Sequence, residues 1–249
     1  MPRIGFLYPG FSAEDDYPAF SATLGDGVDL TVVHTLMRED AHRVDALLDV
    51  GGPDVLGEGA AKLREAGVDA AVWACTSGSF VFGWDGAREQ VRGVAEAAGA
   101  PASSTSFAFV HALQRLGVSR VAIAATYPDD VAERFVEFLG TGGTTVLSLA
   151  SRGIVTAAEV GRLDPDQALD FVVSNDHPRA EAVLVPDTAL HSAGLIGPAE
   201  ALLGKPVLTA NQVSIWEGLR LAGATGAQPG PGALFRSGSG AFTGAPTTR

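Results

Sequence analysis

The chain is predicted to be an α/β protein built twice from one unit, and three features of its 249 residues lead there. Short apolar runs rich in Val and Ile recur at 4–8, 28–33, 70–74, 121–125, 145–149, 182–185 and 207–209. Amphipathic stretches separate them, at 57–66, 84–98, 107–116, 128–139, 165–173 and 214–221. Strands that are apolar along their length, alternating with helices, pack as parallel sheets covered on both faces. The third feature is internal similarity. Ala70-Ala71-Val72-Trp73-Ala74-Cys75-Thr76 aligns with Ala182-Val183-Leu184-Val185-Pro186-Asp187-Thr188 at a constant offset of 112.

The other elements follow the same order twice. The opening MPRIGFLYPG provides the first strand, and Arg3-Ile4-Gly5-Phe6 resembles Arg120-Val121-Ala122-Ile123 at the start of the second half. Gly99-Ala100-Pro101 leads through a Ser/Thr cluster into a helix ending Leu116-Gly117, as Gly204-Lys205-Pro206 leads through Thr209 to Ala222-Gly223. Matches in one order with similar spacing indicate duplication. Cys75 and Asp187 thereby fall at equivalent strand ends, and in open parallel sheets ligands collect outside the carboxyl ends of strands. The expected division is 1–104 with 210–235 as one half, 105–209 as the other, and 236–249 as a flexible tail; the Gly, Ser, Pro and Thr content from Gly226 onward suggests a loose extension or surface strap.

Composition narrows the function. With 46% hydrophobic residues the chain can form a full core. A formal net charge of -12 disfavours nucleic acid and anionic membranes as partners. The single cysteine excludes an internal disulfide and any multi-thiolate metal site, and His34, His42, His111 and His177 have no ligand spacing, so no metal is expected. His42 and His177 lie in charged sequence that reads as exposed. There is no secretory signal pattern and no apolar run long enough to span a bilayer, which points to a cytoplasmic protein. No Gly-x-Gly-x-x-Gly follows the first strand, residues 140–143 lack the lysine of a phosphate loop, and no Gly-x-Ser-x-Gly elbow occurs. Neither a nucleotide cofactor nor a serine-hydrolase triad is expected, and the cofactor expectation is none.

The candidate chemistry centres on Cys75. Cys75-Thr76-Ser77-Gly78-Ser79 joins a buried strand to a small-residue turn. Such a turn is expected to aim successive backbone N–H groups outward beside the Thr76 and Ser77 hydroxyls, cradling a carboxylate or oxyanion and lowering the thiol pKa. A buried packing role is the ordinary alternative for a free cysteine. Tyr127 follows the second apolar strand of the repeat; it can turn its phenol into the cleft or pack half-buried with a wet hydroxyl. Pro128, Asp129 and Asp130 behind it are helix-start residues. Asp187 is either a carboxylate at the cleft mouth or a cap for a following helix, whose face His191 would share as an acid/base partner.

These motifs resemble a known group. The Cys75-Thr76-Ser77-x-Ser79-Phe80 turn, Tyr127, Pro206-Val207 with Asn211-Gln212, the stretch from Trp216 to Gly223, and Pro229-Gly230-Pro231-Gly232-Ala233-Leu234-Phe235 are similar to the Asp/Glu racemase superfamily, in its branch of maleate cis-trans isomerases and arylmalonate decarboxylases. The resemblance implies two Rossmann-like halves related by pseudo-twofold symmetry, an active site between them and no cofactor. It implies that Thr76, Ser77 and Tyr127 hold a carboxylate as it becomes an enediolate, with Cys75 and Asp187 catalytic and Gly78, Pro9 and Thr188 completing the substrate site. Two-cysteine members carry a cysteine at both equivalent positions; here the second is Asp187. Arylmalonate decarboxylases carry their cysteine at the Asp187 position and a glycine at that of Cys75, whereas maleate isomerases use the Cys75 position as a nucleophile.

The implied function is cofactor-independent chemistry at the carbon next to a carboxylate. Decarboxylation of a substituted (aryl)malonate leads, because it needs only one proton donor. Maleate-type cis-trans isomerisation through Cys75, racemisation, and non-catalytic binding of a small carboxylate are the alternatives. The expected partner is a small carboxylate or dicarboxylate, with a homo-oligomer left open.

Overall fold

The computed structural model describes residues 1–25, 27–224, 226–227 and 229–237. In chain order the first ten elements are β1 (Arg3–Pro9), α1 (Asp16–Leu24), β2 (Asp29–Thr35), α2 (Val44–Val50), α3 (Pro53–Ala66), β3 (Ala70–Trp73), α4 (Ser77–Phe80), α5 (Gly83–Ala98), β4 (Ala102–Ser104) and α6 (Thr105–Leu116). The next ten are β5 (Arg120–Ala125), α7 (Asp129–Thr141), β6 (Thr145–Ser151), α8 (Ala157–Val160), α9 (Pro165–Ser174), β7 (Ala182–Val185), α10 (Ile196–Leu203), β8 (Val207–Thr209), α11 (Ala210–Leu221) and α12 (Gly232–Arg236).

The strands form two parallel four-stranded sheets with the same order, β2-β1-β3-β4 and β6-β5-β7-β8. Each chain path moves outward from its first strand to the second, then reverses to the third. The reversal opens a crevice between β1 and β3 in one sheet and between β5 and β7 in the other. Leu7 pairs with Trp73 and Ile123 with Leu184. Pro9 and Cys75 therefore flank the first crevice, and Tyr127 and Asp187 the second. The repeat inferred from sequence is thus a repeat of topology, and it puts the two candidate catalytic residues two positions beyond equivalent strands.

The equivalent helices α6 and α11 pack against each other, joined by Thr105 Oγ1 and Ser214 Oγ at 2.6 Å and by the His111–Glu217 pair at 2.8 Å. Burial disfavours a charged Glu217, but bonds from Arg220 and His111 outweigh it and hold its carboxyl down at about 2. Helix α11 also crosses onto β1 and β3 of the first sheet. A Cβ at Gly218 would lie 2.3 Å from Ile4 Cγ2, so only glycine permits that approach. Asp16 makes a second tie. Its buried carboxylate accepts from Ser192 N (2.7 Å) and Oγ (3.0 Å), Ala193 N (3.2 Å) and Asn211 Nδ2 (3.0 Å), linking α1 to the segment after β7.

Some expectations need correcting. Helix α11 begins at Ala210 rather than 214, because Ala210 to Leu219 are all buried and a helix buried all round has no polar face to show in a periodicity. Strand β4 is Ala-Ser-Ser, polar in sequence yet buried at Ser103 and Ser104, with the Ser104 hydroxyl accepting from Ser79 at 2.9 Å. The loose extension expected from Gly226 contains α12, whose Leu234 and Phe235 are buried. Of the expected tail 236–249, residues 238–249 lie outside the described residues. No described helix is long and apolar enough to cross a membrane.

Candidate active site

A cleft of about 30 Å³ lies at the carboxyl ends of the two sheets, and its walls include Pro9, Cys75, Ser77, Asp187 and Thr188. That is room for a water or two, so the two walls are close together. A larger cavity, about 350 Å³, sits between α3 and α5, lined by Leu56, Phe82, Glu89 and several glycines; its described lining has no cysteine, serine, threonine or histidine.

The Cys75 wall begins where β3 stops. Thr76 and Ser77 are buried, and Ser77 opens the short α4. The Gly78 amide donates to Cys75 Sγ at 3.3 Å, with Ser77 Oγ at 3.8 Å. A Cβ at Gly78 would stand 3.0 Å from Trp73 Cζ2 and 3.1 Å from Sγ, so any larger residue would crowd the thiol. Ser79 and Phe80 are withdrawn from the expected row of outward amides. Ser79 N and Phe80 N donate to Thr76 O at 3.1 and 3.0 Å, because α4 uses them for its own first turn. The Thr76 and Ser77 hydroxyls also stand on this wall, and Thr76 Oγ1 is buried with no hydrogen-bond partner.

The thiol pKa also departs from expectation. Burial pushes Cys75 up to about 11; the Gly78 amide and Ser77 hydroxyl oppose this, and the Asp187 carboxylate adds to it. Desolvation wins because the residue is only 5% exposed and two weak sulfur contacts replace little of the hydration that a thiolate loses. Cys75 is therefore held as a protonated thiol.

Tyr127 is not half-buried with a wet hydroxyl. It is 1% exposed and donates to Pro186 O at 2.6 Å. Burial, then the charges of Asp187 and Cys75, raise its pKa well above the usual tyrosine range, while the nearby Thr76 and Ser77 hydroxyls pull the other way. The structure thus gathers Thr76, Ser77 and Tyr127 in one place.

Asp187 caps no helix. It sits in a turn where Oδ1 accepts from Ala189 N at 2.9 Å and Oδ2 accepts from the Thr126 hydroxyl. Thr188 is tied through its carbonyl to the Tyr8 hydroxyl at 2.9 Å. His191 does not join Asp187: no helix carries the two on one face, and its Nε2 lies 2.8 Å from Asp15 Oδ1 at the surface.

The residue that the sequence misplaced is His42. It is 8% exposed, lines the cleft, and holds Nε2 4.0 Å from Asp187 Oδ2 and its ring edge-on to Tyr127 at 5.0 Å. Its backbone N donates to Val155 O at 2.7 Å and its Nδ1 meets Ile154 O at 2.9 Å. Two residues earlier, Asp40 accepts from Ala157 N (2.7 Å) and Ala158 N (3.0 Å) at the start of α8. The loop after β2 is thus clasped to the loop after β6, closing the cleft. The one sequence signal was its place in the repeat, in the loop that follows a second strand; the charged neighbours Glu39, Asp40 and Arg43 obscured it.

Residues 50–235 match the family model described as arylmalonate decarboxylase. Over 143 residues the chain is 34% identical to the arylmalonate decarboxylase of Bordetella bronchiseptica, covering 56% of this chain and 60% of that one. It is 29% identical over 137 residues to the maleate isomerase of Nocardia farcinica, 55% of each. The matched stretch thus spans less than two thirds of these relatives. Among solved structures, a liganded arylmalonate decarboxylase variant with one glycine changed to cysteine and one cysteine to serine has a TM-score of 0.83 at 28% identity, covering 94% of this chain and 99% of that one. A maleate cis-trans isomerase of Nocardia farcinica, a cysteine-to-serine mutant with a covalently bound succinylcysteine intermediate, has a TM-score of 0.83 at 25% identity, covering 94% and 98%.

Proposed function

The chain belongs to the arylmalonate decarboxylase family, and from that premise we propose that it decarboxylates a substituted malonate, with Cys75 as the proton donor. The observation that carries this reading is the protonated thiol: at a pKa of about 11 the thiolate fraction at pH 7 is roughly one in ten thousand. Such a group gives a proton far more readily than it attacks a double bond.

One carboxylate of the substrate rests on the hydroxyls of Thr76, Ser77 and Tyr127. Tyr127 keeps its phenolic hydrogen because its pKa is raised, and it becomes a donor to the substrate by turning that hydrogen away from the Pro186 carbonyl. Loss of the other carboxylate as CO2 leaves an enediolate whose charge lies on the two oxygens facing these donors, where fixed dipoles stabilise the transition state more than the ground state. The carbon then takes the Cys75 proton: a C–H bond forms, the S–H bond breaks, and a thiolate remains. Pro9 and Thr188 bound the substrate, and Gly78 keeps its amide on the sulfur. Admission of a malonate requires the clasp between the loops after β2 and β6 to open, since the cleft is too small for it as it stands.

Maleate-type isomerisation is the second reading. It draws support from the covalent succinylcysteine in the Nocardia farcinica isomerase, and it requires Cys75 as a thiolate. Incubation with phenylmalonate and, separately, with maleate, followed by proton NMR, decides between them. The expected result is a 2-aryl acetate from the first and no fumarate from the second; fumarate without decarboxylation overturns the proposal.

A further inference from the structure

The decarboxylation proposed above leaves Cys75 as a thiolate after each turnover, and a proton must return to it before the next. Few groups on the cleft wall can supply one. Burial raises Tyr8 as well as Tyr127 above the ordinary tyrosine range. Asp40 and Asp187 accept hydrogen bonds on both oxygens, so neither presents a proton. Glu39 is engaged with Arg43 on the exposed side of its loop. His42 remains, and imidazole is the side chain suited to take up and release a proton between about pH 5 and 8.

We propose that His42 is the proton donor that resets Cys75, passing the hydrogen on Nε2 to the Sγ thiolate directly or through one water in the cleft. Its geometry suits the task. Nδ1 faces the Ile154 carbonyl, which only accepts, so Nδ1 carries a hydrogen and Nε2 is the atom left for exchange. Nε2 has no hydrogen-bond partner among the described residues, and the Asp187 carboxylate stands 4.0 Å away. The two bonds to Ile154 and Val155 fix the ring in the cleft rather than in solvent. The steps balance: the C–H bond forms as S–H breaks, S–H re-forms as N–H breaks, and imidazole takes a proton from bulk water. One proton is consumed for each CO2 released. The ionisable groups facing His42 are Asp187, Tyr127, Cys75 and Tyr8 from the strand ends, with Glu39 and Asp40 on its own loop.

The inference rests on the decarboxylase reading, and rapid-quench kinetics with phenylmalonate separate the two. His42→Asn keeps a donor for the Ile154 carbonyl and removes the exchanging nitrogen; His42→Gln is the second variant, and thermal unfolding checks that both fold. Because Cys75 starts protonated, each variant is expected to form one equivalent of product per site and then slow about 100-fold, the scale of a lost general acid. A variant that turns over without a burst, whether at wild-type or reduced rate, overturns the role of His42. Wild-type protein that forms no product in the first turnover overturns the decarboxylase reading and this one with it.

Discussion

The turns after β3 and β7 occupy equivalent places in the two halves and protect opposite kinds of group. After β3, Cys75 receives one amide and one hydroxyl at sulfur distances, 3.3 and 3.8 Å, and burial keeps it neutral. After β7, Asp187 receives an amide on one oxygen and a hydroxyl on the other, with His42 opposite. Depth of burial does not distinguish them, since both are nearly inaccessible. What differs is how well the donors replace water. Asp187 has a hydrogen bond on each carboxylate oxygen, whereas two long contacts to sulfur leave a Cys75 thiolate undersolvated. Duplication thus supplied two sites, and the local donors at the Cys75 site leave its thiol protonated.

The largest expected effect breaks the comparison on the thiol side. Cys75→Ala should lower decarboxylation by about 10²- to 10⁴-fold, the range for a lost proton donor, in a CO2-release assay with phenylmalonate. Near-normal turnover would remove Cys75 from the mechanism.

Next is the protonation state itself. At pH 7 iodoacetamide should alkylate Cys75 roughly 100-fold more slowly than a free thiol, and the rate should climb about tenfold per pH unit until near pH 11. The sign follows from desolvation, which removes the reactive anion below the folded-state pKa. Alkylation at pH 7 as fast as glutathione would show a thiolate and restore the nucleophilic reading.

The smallest effect sharpens the coupling between the turns. Asp187 raises the Cys75 pKa through its charge. Asp187→Asn should therefore move the alkylation profile to lower pH, by less than about one unit, while leaving carboxylate binding in place. A shift to higher pH would mean that the substitution had disturbed the turn rather than discharged it, and calorimetric titration with a monocarboxylate would reveal that as lost affinity.

Much of this arrangement was legible in the sequence. The run 70–74 and its copy at 182–185 are apolar because both strands are buried on two faces, and so they fixed the strand ends where Cys75 and Asp187 stand. Helix α3 and helix α5 showed themselves by polar outer faces. Helix α11 was half hidden because it has no such face, and β4 because its buried residues are serines satisfied by partners distant in sequence.

The sequence by itself therefore determined the alternation of strand and helix, the duplication, and the pairing of one cysteine with one aspartate across a cleft, since these depend on the local order of apolar and polar residues. Only the tertiary structure decided that His42 faces Asp187, 145 positions later in a chain of 249 residues, and that the thiol keeps its proton. Both depend on what is brought near from elsewhere in the chain. A loop histidine has no periodicity to betray its direction, and a pKa is set by the water that packing removes and the donors that packing supplies.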